Sequence, residues 1–295
     1  MRTGVKSKML RGLSMALLLG LSFPQRMLPA NVTAETIQAW DESVQALKDE
    51  LARSANTPEH FLLLDRDHEV FKKVRSGKIV AVHPPHGGMV AVPAGLIHHW
   101  TGEIFLPQTN KQTVLSVLQG YDEYAQTYNP AVVGSTLVSH TGQDFKYRLK
   151  FEQHGFGVHA GLKGDFHSTY ELLDDRTGYS ITEATNLVEL EKPGSAEERE
   201  LTVAESHGYV ERILTVVRYR EVAEGVQLEV ETLTLSRDVP ASLRWIVSPV
   251  IQRFSRQVMT STLEKFRSRI EEKQEATQVA RNAPSAEQKA ASGRK

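Results

Sequence analysis

The sequence predicts an α+β fold in one domain, and three observations carry that prediction. Apolar residues recur with a helical period near the amino end. They alternate with polar ones through a long central region, and they form a broad stripe near the carboxyl end. The chain has 295 residues, 40% of them hydrophobic, which is ample for one sizeable core.

The amino end comes first. Arg2, Lys6, Lys8 and Arg11 precede an apolar run from Leu13 to Phe23, the pattern of a secretory signal. That run is too short to span a bilayer as a helix. Residues 1–34 are therefore expected to be a signal peptide, cut after Ala30 or, preferably, Ala34, with an uncleaved anchor as the alternative reading. The mature chain is then expected to be periplasmic or secreted, with a net charge of about −6, which argues against nucleic acid as a partner. There is no cysteine, so disulfides, thiolate metal sites and cysteine nucleophiles are excluded.

Residues 35–89 are expected to form an amino-terminal helical extension. Ile37, Trp40, Val44, Leu47 and Leu51 lie on one helical face, and Thr57-Pro58 starts a second short helix near Phe61 to Leu64. His83-Pro84-Pro85-His86-Gly87-Gly88 marks a loop. From Leu96 the period becomes two, with Leu96, His98, Trp100, Ile104 and Leu106 on one face of a strand. Asn110 is placed to cap a helix carrying Val114, Leu115 and Leu118, and Tyr121, Tyr124 and Tyr128 continue at helical spacing until Asn129-Pro130.

Alternation returns in Phe145, Tyr147, Leu149 and Phe151, and again from Phe156 through Phe166 to Leu172, giving strands with one wet face. Further strands are expected near residues 179–190, 209–221 and 226–236, with a polar excursion over 191–207. The apolar parity of the last strand changes after Val230, which predicts a bulge near Glu231. A long helix follows Pro240, with Val250, Ile251, Phe254, Val258, Met259, Leu263, Phe266 and Ile270 as its stripe. Residues 273–295 are expected to be a disordered tail.

This order of elements resembles the helix-grip fold of the START-like, or Bet v 1-like (SRPBCC), superfamily. The echoes are Gly120-Tyr121-Asp122-Glu123-Tyr124 through Tyr128-Asn129-Pro130 to Ser135, Leu235-Ser236-Arg237-Asp238-Val239-Pro240, and Gly95 to Trp100, the last similar to uncharacterised secreted bacterial members. The resemblance covers residues 90–272. It implies a curved antiparallel sheet wrapped around the long carboxyl-terminal helix, with an apolar cavity between them. Because the superfamily hosts carriers, cyclases and hydrolases, the fold selects no chemistry.

His98 shares the inward parity and is the foremost polar candidate, as a hydrogen-bond donor to a ligand, as an acid or base, or as a core histidine satisfied by a neighbour. Trp100, Tyr124, Phe254 and Val258 complete the expected ligand-binding set. His159, Asp165 and His167 have strand spacing for a metal but face away from the apolar side, and His83 with His86 lacks a third ligand, so no metal and no cofactor is expected. Lys146, Arg148 and Lys150 form either a wet strand face or a row that touches a membrane surface transiently. Arg237 and Arg256 are expected to pair with Glu229 or Glu231, or with a ligand acid.

Three functions follow as expectations. The first is a carrier of a lipid or other hydrophobic small molecule, more in keeping with the absence of catalytic motifs than an enzyme is. The others are a cyclase or isomerase using His98, and a non-catalytic interaction module whose core is filled.

Overall fold

The computed structural model describes residues 32–282 except 85–86, 156–157 and 239–240, and leaves undescribed the side chains of 63–64, 155, 158, 241–251 and 282. The expected signal segment up to residue 31, His86, Phe156, the side chains of Trp245, Val250 and Ile251, and the tail beyond 282 therefore lie outside the described residues.

Helix α1 (Ala34–Ala55) starts where Thr33 accepts from Thr36 N while the Thr36 hydroxyl accepts from Thr33 N, a reciprocal cap. Short 3₁₀ turns at Pro58–His60 and Leu63–Arg66 lead to α2 (His68–Arg75), capped by Asp67. Strands β1 (Val80–Val82), β2 (Met89–Val92) and β3 (Gly95–Pro107) follow. Helix α3 (Lys111–Leu118) is capped by Asn110, as expected, and α4 (Tyr124–Thr127) closes the connection. The remaining strands are β4 (Val132–Thr141), β5 (Asp144–Gly155), β6 (Val158–Leu172), β7 (Thr177–Glu191), β8 (Arg199–Glu200), β9 (Arg212–Val222) and β10 (Gly225–Arg237), before helix α5 (Ala241–Asn282).

All pairings are antiparallel, in the order β1-β3-β10-β9-β7-β6-β5-β4. β2 shares the β1 edge of β3, and β8 pairs with β7. The sheet curves around α5, which lies against β1, β3, α3 and α4. This is the expected helix-grip arrangement. No helix among the described residues is long and apolar enough to cross a membrane.

Both faces of the central strands are covered. On the inner face, toward α5, Trp100, Ile104, Leu106, Tyr219, Val226 and Leu228 pack with Met259, Leu263, Phe266 and Ile270. On the outer face, Trp40, Leu47 and Leu51 of α1 pack on Ile97, Leu214, Val216, Leu233 and Leu235. Val70 and Val74 of α2 cover Phe105 in the same layer.

Four sequence expectations change. β10 pairs with β3 and β9 without any register shift, so there is no bulge at Glu231. Its apolar parity changes because α1 covers the outer side of Leu233 and Leu235, while the inner side passes to Thr232, Thr234 and Ser236. Val258 is 39% exposed. Neighbours on a helix are turned by about 100°, so seating Met259 inward leaves Val258 on the flank. α5 runs on through residues 273–282, the first part of the expected tail. The extension over 35–89 contains β1 as well as helices, and β2 begins at its end.

Candidate functional site

The inner face has two unlike ends. At one, Tyr121 stacks on Tyr147 with ring centroids 3.9 Å apart, and the Tyr121 and Tyr170 hydroxyls lie 2.8 Å from each other. Tyr170 and Tyr124 both donate to the Leu118 carbonyl, and Tyr147 meets Ser168 at 3.1 Å. Burial pushes the Tyr121 and Tyr147 phenols above their ordinary range. Each of these four hydroxyls has a partner within the protein, so this end is a packed polar-aromatic core.

At the other end the cover thins. Along β10 every outer-face residue from Gln227 to Arg237 is buried, yet Val230, Thr232, Thr234 and Ser236 on the inner face stay half-exposed. Ile213 and Thr215 of β9, with Ala184, Leu187 and Phe151 on neighbouring strands, are half-exposed too. Side chains of both characters thus line an open cup: hydroxyls along β9 and β10, and aliphatic and aromatic groups around them.

His98 stands at the rim of this cup. It is 8% exposed, and its Nε2 is 2.9 Å from Ser236 Oγ. Burial first, and then the nearby His83, lower its pKa, so the ring is neutral at pH 7. His83 packs its ring 3.9 Å from Trp100 and bonds the His99 carbonyl through Nδ1. Trp100 is buried, Phe254 and Tyr124 are half-buried, and Val258 is exposed. His98 is therefore brought to Ser236 and Trp100 to His83, whereas Tyr124 belongs to the packed tyrosine end.

Other sequence candidates separate. His167 pairs with Asp144 at 2.7 Å and Asp165 with Arg148 at 2.9 Å, so neither joins His159. Arg237 pairs with Glu211 at 2.6 Å and bonds the Ser206 and Val203 carbonyls, while Arg256 is exposed. Glu229 and Glu231 instead pair with Arg218, which lies directly across from Glu229 in the ladder.

That buried network on the outer face is what sequence reasoning missed. His99 Nε2 lies 2.7 Å from Glu231 Oε1, Arg220 pairs with Asp65 at 2.6 Å, and Gln227 links Arg220 to Glu103. Glu103 is 1% exposed, and burial, with the charges of Glu229 and Asp65, pushes its pKa up to about 9. It is a neutral acid at pH 7. A cleft of about 440 Å³ between α1 and this face is lined by Leu47, Ile97, Leu233, His99, Glu231 and Arg53. The signal for the network was the run Arg218, Arg220, Gln227, Glu229 and Glu231 on one strand parity, which reads as a wet face until α1 and the 3₁₀ turns are known to cover it.

No family model matches this sequence, and no curated protein does. Among solved structures, a STAR-related lipid transfer protein fragment from Xanthomonas axonopodis is 17% identical. The match covers 62% of this chain and 98% of that one, with a TM-score of 0.43. Human STARD10 is 8% identical over 72% of this chain and 82% of its own, at a TM-score of 0.42. The Zhui aromatase/cyclase from Streptomyces sp. R1128 is 12% identical over 59% and 94%, at a TM-score of 0.35.

Proposed function

We propose that this protein is an exported carrier that holds a lipid or other hydrophobic small molecule in the open end of the cup, between the inner face of β9 and β10 and the amino-terminal half of α5. One observation carries the reading. The inner face is left half-exposed at Ile213, Val230, Thr232 and Thr234 in the middle strands, although the outer-face residues of β10 are buried. Apolar surface kept accessible inside a concavity is where a hydrophobic molecule gains most from leaving water. The threonines and Ser236 supply hydroxyls to orient a polar head, and His98, neutral and tied to Ser236, can share in that bond. Export rests on the basic and apolar pattern of residues 1–34.

Val230→Trp and Ile213→Trp test the carrier reading directly. Each ring would occupy the open end, so binding of a fluorescent fatty-acyl probe should fall at least about tenfold while the unfolding midpoint holds. Unchanged probe binding with a sharp loss of stability would instead mean that the cup is filled by its own side chains. The amino-terminal sequence of protein recovered from its native host tests export, and an intact Met1 would overturn it.

A further inference from the structure

We propose that Glu152, His154 and His159, at the β5–β6 hairpin on the outer face, form a surface binding site for a divalent transition-metal ion of the zinc class. Glu152 and His154 are two residues apart on β5 and so project to the same side of the strand. His159 is the direct cross-strand partner of His154. The two imidazoles stack with centroids 3.8 Å apart and an interplanar angle of 26°. Glu152 Oε2 lies 3.6 Å from His159 Nε2. One ligand atom from each of the three residues falls within 4.8 Å of the others, and no other group of three His, Cys, Asp or Glu among the described residues does this.

The chemistry of the set is that of a zinc-class ion. Two imidazoles and one carboxylate present borderline nitrogen donors and one oxygen donor, a set that such ions prefer to the all-oxygen sets suited to calcium or magnesium. Metal bonds of about 2.0–2.2 Å put ligand atoms about 3.3–3.6 Å apart in a tetrahedron. The present spacing closes to that by rotation of the two exposed histidines. An ion between the nitrogens of the two stacked rings would bond both.

The surroundings leave the site accessible. Gly194, at φ +71°, lies beside the carboxylate, and a side chain there would come within 2.9 Å of Glu152 Oε2. The turn Lys192 to Glu197 and His159 border an open recess of about 540 Å³. Lys150 contacts the other carboxylate oxygen, Oε1, at 3.4 Å, and orients Glu152 without occupying Oε2. Three protein ligands leave a fourth position for water or for a group from another molecule.

Calorimetric titration of the purified full chain with Zn²⁺ tests the site. One equivalent should bind, and the Co²⁺ form should show the visible absorption of a four-coordinate ion. His154→Ala, His159→Ala and Glu152→Gln should each weaken binding at least about tenfold, since loss of even a supporting residue costs that much in other sites. All three variants should keep the wild-type melting temperature, and His167→Ala, which removes a histidine bonded elsewhere, should bind as wild type. Absence of Zn²⁺ binding, or full affinity in His154→Ala or His159→Ala, would overturn the proposal, as would loss of binding in His167→Ala alone.

Discussion

Arg218 and Glu229, cross-strand partners on β9 and β10, meet at 2.8 Å with neither side chain exposed to solvent. The same guanidinium nitrogen reaches Glu231 at 2.7 Å, and Glu231 in turn holds His99. Two carboxylates thus share one cation in a layer covered by α1 and the 3₁₀ turns. Removing the cation takes the buried guanidinium away from both. Arg218→Met should therefore cost about 3–5 kcal/mol, measured by urea unfolding, and a loss below about 1 kcal/mol would show that water reaches the network.

Glu103 titrates in the opposite sense to a paired carboxylate. Its folded pKa, about 9, lies above the ordinary value of 4.5, so between those two pH values the native state holds a proton that the unfolded chain has lost. Stability from this group is then fully present below about pH 4.5 and falls as pH rises toward 9. Glu103→Gln mimics the protonated form. It should be more stable than wild type at pH 8 by on the order of 1 kcal/mol or more, with the gain vanishing near pH 4. A gain that does not change with pH would place the charge elsewhere.

His98 follows the other sign. Burial lowers its pKa below the ordinary value of 6.5, so its contribution is complete above pH 6.5 and is lost as pH falls through the folded value. An NMR titration of the imidazole should show a midpoint below 6.5, moving upward in Ser236→Ala only if the hydroxyl donates to the ring. A midpoint above 6.5 would mean a charged ring and a different role at the rim.

Gly102 lies under α5. A methyl group built there would come 2.7 Å from both Leu263 Cδ1 and Met259 Cγ, so the helix approaches β3 at this one smooth point. Gly102→Val should cost about 1–3 kcal/mol by overpacking, and Met259→Ala should recover part of that loss in the double variant. Additive losses in thermal unfolding would show that α5 does not seat there.

The strands were legible because alternation survives wherever one face is wet. Phe145, Tyr147 and Leu149 are buried while Lys146 and Arg148 are not, and Phe166 is buried opposite Asp165. Phe151 is only half-buried, because it reaches the open end of the cup. The alternation failed as a guide on β10, where two different covers act on the two faces and no wet side exists. α2 was not legible, since only Val70 and Val74 anchor it, and β4, with Leu137 and Val138 half-exposed or exposed, carries too little pattern. For the site, parity placed His98 correctly toward α5 but could not say that Ser236 would meet it, because that bond joins residues far apart in the chain.

The covered outer side of β10 also bears on how the sheet can deform. A sheet held by α1 at Leu233 and Leu235, and tied by the Arg218 ion pairs, would bare buried charge if β9 and β10 bowed outward. A carrier of the kind proposed would therefore admit its ligand from the α5 side, against strands that stay in place.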